Sequence, residues 1–166
     1  MIGKKVSIAV PSFNHKIYIK SCLDSILMQD YQNYEVLIAD GGSSDGSLEL
    51  IADYCDRDNR FRVISTSDSG QSDALNKAFL CAEGQIHCFL NSDDCYIVKD
   101  AISKVVDSFE IYPSIDIISF TGYYLNAVGK LIKPIRMRYH PLDSIAWMRY
   151  RVAVLQPSTF WLSKVT

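Results

Sequence analysis

Val36-Leu37-Ile38-Ala39-Asp40-Gly41-Gly42-Ser43-Ser44-Asp45-Gly46 is an apolar run that ends on a carboxylate and passes into dense turn chemistry. Leu48, Ile51, Ala52 and Cys55 follow at the spacing of one helical face, so the stretch reads as strand, loop and amphipathic helix. The same alternation recurs on either side. Val6 to Val10 is a short β-rich run stopped by Pro11. Ile19, Cys22, Leu23, Ile26 and Leu27 then mark a helix, with Asn14 where its N-cap would stand. Phe61 to Ser65 predicts a third strand, Ala74, Leu75, Ala78 and Phe79 a third helix, and Ile86 to Leu90 a fourth strand. Strands alternating with helices of this length predict an α/β fold, a doubly wound, mostly parallel sheet with helices on both faces.

Beyond Asp94 the pattern loosens. Ala101 to Ile111 predicts a helix and Asp116 to Leu125 a strand, and Asn126-Ala127-Val128-Gly129 a hairpin turn into Lys130 to Ile135. Ser144 to Arg151 predicts a short helix and Thr159 to Ser163 a last strand. With no repeat, low-complexity tract or linker, residues 1–166 read as a single domain.

At 48% hydrophobic and 22% charged residues, the chain is too apolar to be disordered. No run approaches the roughly 18 apolar residues of a membrane span. Met1 to Val10 has neither the apolar core nor the cleavage site of a signal peptide, which predicts a cytoplasmic protein. Cys22, Cys55, Cys81, Cys88 and Cys95 are odd in number without a Cys-x-x-Cys pair, as reduced and mostly buried thiols would be. From Ala127 to Thr166, seven basic residues face one acid, Asp143, a net of +6 that leaves −8 on the first 126 residues. An acidic front part does not suit a nucleic-acid binder. The basic end suits peripheral contact with an anionic membrane or a phosphorylated acceptor, or else a solvated face.

In an open α/β sheet, ligands bind beyond the carboxyl ends of the strands. Three polar clusters fall there: Pro11-Ser12-Phe13-Asn14-His15, Asp40 to Gly46, and Asn91-Ser92-Asp93-Asp94. Asp93 and Asp94 are like charges at the mouth of an apolar sheet, and a hard divalent cation compensates such a pair. A helix-capping role before Ala101 is the alternative. Asp40 suits hydrogen bonding to a base or ribose, or else an Asx turn that only reverses the chain. Gly42 to Gly46 lacks the Gly-Lys-Ser/Thr ending of a phosphate loop, and no Gly-x-Gly-x-x-Gly run is present. The histidines, His15, His87 and His140, show no metal-ligand spacing and read as surface or satisfied core residues.

Taken in order, these segments resemble the N-terminal, nucleotide-sugar-binding part of the family 2 glycosyltransferases, which have the GT-A fold. Ser7 to Asn14 is similar to the family's opening strand and Pro-x-x-Asn motif, and Val36 to Gly46 to its second-strand signature. Ser69 to Ala78 resembles the segment before the third helix, Phe89 to Asp94 a variant of the Asp-x-Asp motif, and Gln156 to Trp161 a segment bordering the acceptor pocket.

The resemblance implies transfer of a sugar, with inversion, from a nucleotide-sugar donor, most often a UDP-sugar, to an acceptor hydroxyl. It implies that Pro11, Ser12 and Asn14 line the nucleotide pocket and that Asp40 bonds the base. Gln71, Asp73 and Asn76 would stand near the ribose and diphosphate, with Asn91 and Ser92 beside them. Asp93 would bind donor and Mn²⁺ or Mg²⁺, with Asp94 as second metal ligand. Gly41 stands where many members have an aspartate, and Asn91 where a carboxylate is common. The family's base is an acidic residue several tens of residues past the Gln-Pro segment, which predicts that the chain is truncated before it. A saccharide or lipid-linked acceptor in polysaccharide or glycoconjugate synthesis is the analogy. The competing readings are a non-catalytic nucleotide-binding scaffold and a nucleotidyltransferase. The latter would carry a Gly-rich basic loop where Pro11 to Lys16 stands.

Overall fold

The chain's central strands are β1 (Val6–Ser12) and β2 (Tyr34–Asp40), buried along their whole lengths, as parallel strands covered on both faces must be. A computed structural model describes residues 3–65, 68–126, 128–135 and 155–166. With β3 (Phe61–Ser65), β4 (Ile86–Phe89), β5 (Ile117–Ser119) and β8 (Thr159–Leu162) these strands form a six-stranded sheet ordered β3-β2-β1-β4-β8-β5. The first four run parallel, and β8 lies antiparallel between β4 and β5. A separate hairpin pairs β6 (Gly122–Leu125) with β7 (Leu131–Ile135).

The period-two alternation of β1 and β2 sorts the helices. Ile8, Val10, Val36 and Ile38 face one side, in a core with Leu23 and Ile26 of α1 (Lys16–Leu27), Ile51 of α2 (Ser47–Arg57) and Ile102 and Phe109 of α4 (Ala101–Ile111). Ala9, Leu37 and Ala39 face the other, against Ala74 and Ala78 of α3 (Gln71–Leu80). The strand order turns back at β1, with β2 on one side and β4 on the other, and so opens a crevice at the carboxyl ends of these strands.

Two local expectations come out differently. Asn14 does not cap α1: it takes φ +54°, and its side chain accepts a hydrogen bond from the Ser44 amide at 2.9 Å. Asp45 caps instead, accepting from Lys16 N at 2.9 Å and Ser47 N at 3.0 Å, so one carboxylate serves the starts of α1 and α2. The strand expected over Asp116 to Leu125 breaks in two. Phe120 exchanges hydrogen bonds with Ser158, N to O at 3.0 Å and O from Oγ at 2.6 Å, which holds the chain between β5 and β6. The hairpin turn forms as read, with Asn126 Oδ1 accepting from Val128 N and Lys130 N. The helix expected over Ser144 to Arg151, and His140, lie outside the described residues.

His87 is a satisfied core residue, stacked on Phe79 at 5.2 Å and bonded to Gly84 O. Cys22 and Cys88 are buried, Cys55 and Cys95 half-buried, and Cys81 exposed. Gly84 crosses the start of β1 so closely that a Cβ there would sit 2.7 Å from Ser7 N and 2.8 Å from Lys5 O. Backbone cannot give way as a side chain can, so Gly84→Ala is expected to destabilise the fold by about 2–3 kcal/mol, read as a fall in the urea midpoint.

Candidate donor-binding cleft

The three polar strand ends converge. A cleft of about 660 Å³ opens above the carboxyl ends of β1, β2 and β4. Of the residues singled out from the sequence, Pro11, Ser12, Gln71, Asn91, Ser92 and Asp93 line it. Phe13, His15, Gly41, Asp68 and Gly70 complete most of its wall. Asn14, Asp40, Asp73, Asn76 and Asp94 do not line it, and Asp94 lines a neighbouring cavity instead.

The local chemistry explains that division. Asp40 is fully buried; its Oδ1 accepts from Gly42 N at 3.0 Å and Ser43 N at 2.7 Å, and its Oδ2 from Ser43 Oγ at 2.7 Å. It holds the Asx turn that shapes the β2–α2 loop. Asp73 faces along its own helix, accepting from Ser69 N at 3.0 Å and pairing with Lys77 at 2.8 Å. The hydrogen bond from Lys77 holds its carboxyl below the usual range. Asn76 is exposed on α3.

Asn91 links the elements around the cleft. Its Oδ1 accepts from Gln71 Nε2 at 2.6 Å, and its Nδ2 donates to Asp94 Oδ2 at 3.0 Å and to Gln156 Oε1 at 2.8 Å. A carboxylate could not donate those two bonds, so the amide at 91 has a structural use. Asp94 is thereby turned toward Asn91. Burial pushes its carboxyl above the ordinary range, with the Asn91 bond opposing and the charge of Asp93 adding to the rise.

Asp93 is different. It is exposed, has no hydrogen bond or ion pair among the described residues, and lines both this cleft and a second cavity of about 650 Å³. The second cavity is walled by Cys95, Tyr123, Tyr124, Leu155 and Pro157, among others.

Two observations bear on what the cleft could hold. Ser12 Oγ is buried without a partner, the one such side-chain atom among the described residues, and an orphan of that kind at a cleft wall is satisfied by a bound group or water. Among the described residues no three His, Cys, Asp or Glu side chains gather as a closed metal site. Mg²⁺ and Mn²⁺ do not need one: such ions are held by one or two carboxylates and complete their shell with phosphate oxygens and water. Asp93, a hard oxygen donor unengaged among the described residues, fits that use, and Gln71, the first residue of α3, adds an amide donor suited to an anion.

His15, Phe13 and Asp68 were not singled out as site residues. His15 meets Ser92 Oγ at 2.6 Å through Nδ1, a contact between residues 77 apart in sequence. Asp68 had a readable signal, Asp-Ser-Gly at the end of the third predicted strand, the same chemistry that marked the other strand ends.

Among proteins of known kind, the chain is 34% identical over 127 residues to a hyaluronan synthase of Pasteurella multocida, covering 76% of this chain and 13% of the relative. Its fold matches S. aureus TarS 1-349 in complex with UDP-GlcNAc, with TM-score 0.74, 24% identity, and coverage of 97% of this chain and 46% of that one. It also matches the mannosyltransferase PcManGT from Pyrobaculum calidifontis in complex with GDP-Man and Mn²⁺, with TM-score 0.65, 25% identity, and coverage of 70% and 35%. The chain spans 26%, 15% and 34% of the lengths of three other curated relatives. The model of the family described as "Glycosyl transferase family 2" matches residues 7–162. With that match over nearly its whole length and a GT-A sheet, the chain belongs to glycosyl transferase family 2.

Proposed function

We propose that this chain forms the donor-binding part of a metal-dependent, inverting glycosyltransferase that takes a UDP-sugar. The observation that carries the reading is Asp93: a carboxylate unpaired among the described residues, in the loop after β4, lining two cavities. In this reading Asp93 and, secondarily, Asp94 hold Mn²⁺ or Mg²⁺, and the ion, when bound, offsets charge gathering on the departing nucleoside diphosphate.

The chain's own groups do the rest of the positioning. Gln71 offers N–H donors to the diphosphate. Asn91 holds Asp94 toward itself and leaves Asp93 free for the ligand. Ser12 and Ser92 lie in the nucleotide wall. Asn14 and Asp40 act from behind, by shaping the two loops that frame it.

The second cavity, lined in part by Tyr123 and Tyr124, takes the acceptor hydroxyl, carried by a saccharide or a lipid-linked saccharide. The kinship with a polysaccharide synthase supports a part in polysaccharide or glycoconjugate synthesis. The protein works in the cytoplasm, its basic end against an anionic membrane surface. A nucleotidyltransferase reading is weakened by Lys16, which packs on Gly46, and by a cleft lining without Lys or Arg among the described residues.

Calorimetric titration of UDP into the chain with Mn²⁺ tests the reading. Saturable binding that disappears in EDTA is expected; no heat in either condition overturns it.

A further inference from the structure

The cleft has two chemically distinct ends. The strand order places Asn91 to Asp93 at the β4 end and Gly41 with Asp68 at the β2–β3 end. A diphosphate drawn to a cation at Asp93 cannot also approach Asp68, a second carboxylate with no Lys or Arg beside it in the described lining. What reaches the Asp68 end is the other end of a nucleotide, its base.

The side chain at 68 occupies a space that residue 41 leaves open. A Cβ on Gly41 would lie 2.8 Å from Asp68 Oδ2 and 3.3 Å from Phe13 Cδ2. The carboxylate from the β3–α3 loop and the Phe13 ring therefore meet over the bare backbone at the end of β2. Asp68 Oδ1 accepts from Gly70 N at 3.0 Å, which fixes the group, while Oδ2 has no partner among the described residues. Asp40, the neighbouring carboxylate, has both oxygens engaged and no share of the cleft wall.

We propose that Asp68 selects the nucleobase, its free oxygen accepting a hydrogen bond from a ring N–H of a base seated beside it against Phe13. This rests on the donor-site reading given above. Uracil and guanine present such an N–H on their pairing edge. Cytosine and adenine present a bare ring nitrogen there, which faces the carboxylate lone pair to lone pair and leaves a partly buried acceptor unpaired.

The test is calorimetric binding of UDP, GDP, CDP and ADP in Mn²⁺ to the wild-type chain, Asp68→Ala and Gly41→Ala. Wild type is expected to favour UDP or GDP over CDP and ADP by about 10- to 100-fold, the worth of one hydrogen bond to a charged group. Comparing the UDP and GDP arms identifies which base is the natural one. Asp68→Ala is expected to bring all four within about threefold of each other while Mn²⁺-dependent binding persists. Gly41→Ala keeps the carboxylate but pushes it aside, so it is expected to lose the preference too, and it covers the case in which Asp68→Ala does not fold. A wild-type base preference retained in either folded variant overturns the assignment of Asp68 and leaves the donor site standing. Wild-type chain that binds none of the four overturns both.

Discussion

Asp93→Asn is expected to weaken Mn²⁺-dependent UDP binding by about 100-fold, on the order of 3 kcal/mol. Asn is nearly the same size, and Asp93 makes no hydrogen bond or ion pair that the substitution would break within the described residues. What changes is charge. In the wild type the carboxylate attracts the cation and, without it, repels the diphosphate. The variant is therefore expected to bind UDP about equally in Mn²⁺ and in EDTA, while wild type separates the two conditions widely. The same titration on Asp94→Asn should show a smaller loss, because that carboxylate is already engaged by Asn91. An Asp93→Asn protein that keeps the wild-type gap between Mn²⁺ and EDTA removes Asp93 from the metal.

The second large effect is on stability. Glu35 is a buried carboxylate in β2. It accepts from Ser7 Oγ at 2.6 Å, from Glu83 N at 2.7 Å and from Arg62 Nη2 at 2.8 Å, with Lys5 Nζ at 3.3 Å. Ser7 Oγ accepts in turn from Gly84 N at 2.8 Å. The cluster ties the start of β1, the start of β2 and the turn before β4 together. Glu35→Ala strips a partner from a buried hydroxyl and an amide and takes the ion-pair partner of Arg62, while Lys5 keeps Glu83 at 2.7 Å, at a cost of about 2–4 kcal/mol. That corresponds to a fall in Tm of roughly 10 °C for a chain of this size.

The pH dependence has a definite sign. Burial pushes the Glu35 carboxyl up, but the bonds from Ser7, Glu83 N and Lys5 outweigh it and hold the group below its ordinary value of 4.5. Its contribution is fully present above the unfolded value and is lost as pH falls through the lower folded one. Wild type is therefore expected to lose stability below about pH 4.5 more steeply than Glu35→Gln. Parallel acid denaturation curves for the two proteins count against this network.

Much of the architecture was legible in the chain. Continuous apolar runs such as Val36 to Ala39, set between helical stripes, identify a covered parallel sheet because side-chain period and burial are linked. The strand-end clusters are likewise legible, since Gly, Asp, Ser and Asn act on the backbone next to them. The reading ran out where partners are distant in sequence. Asp116 to Leu125 looks like one strand until Ser158 takes hold of Phe120, and no local pattern announces that. Nothing in the sequence around Glu35 announces that Ser7, Arg62 and Glu83 surround it.

The site divides along the same line. Sequence by itself determined the α/β alternation, the strand ends at which polar groups gather and the paired carboxylates after β4, because each depends on residues within a few positions of one another. Tertiary structure decided which carboxylates face the cleft: Asp93 free and Asp94 engaged, Asp40 spent on its own turn and Asp68 brought over Gly41. Those outcomes depend on side chains from separate strand ends competing for the same few ångströms of space and the same hydrogen bonds, and that competition exists only once the sheet has set their order.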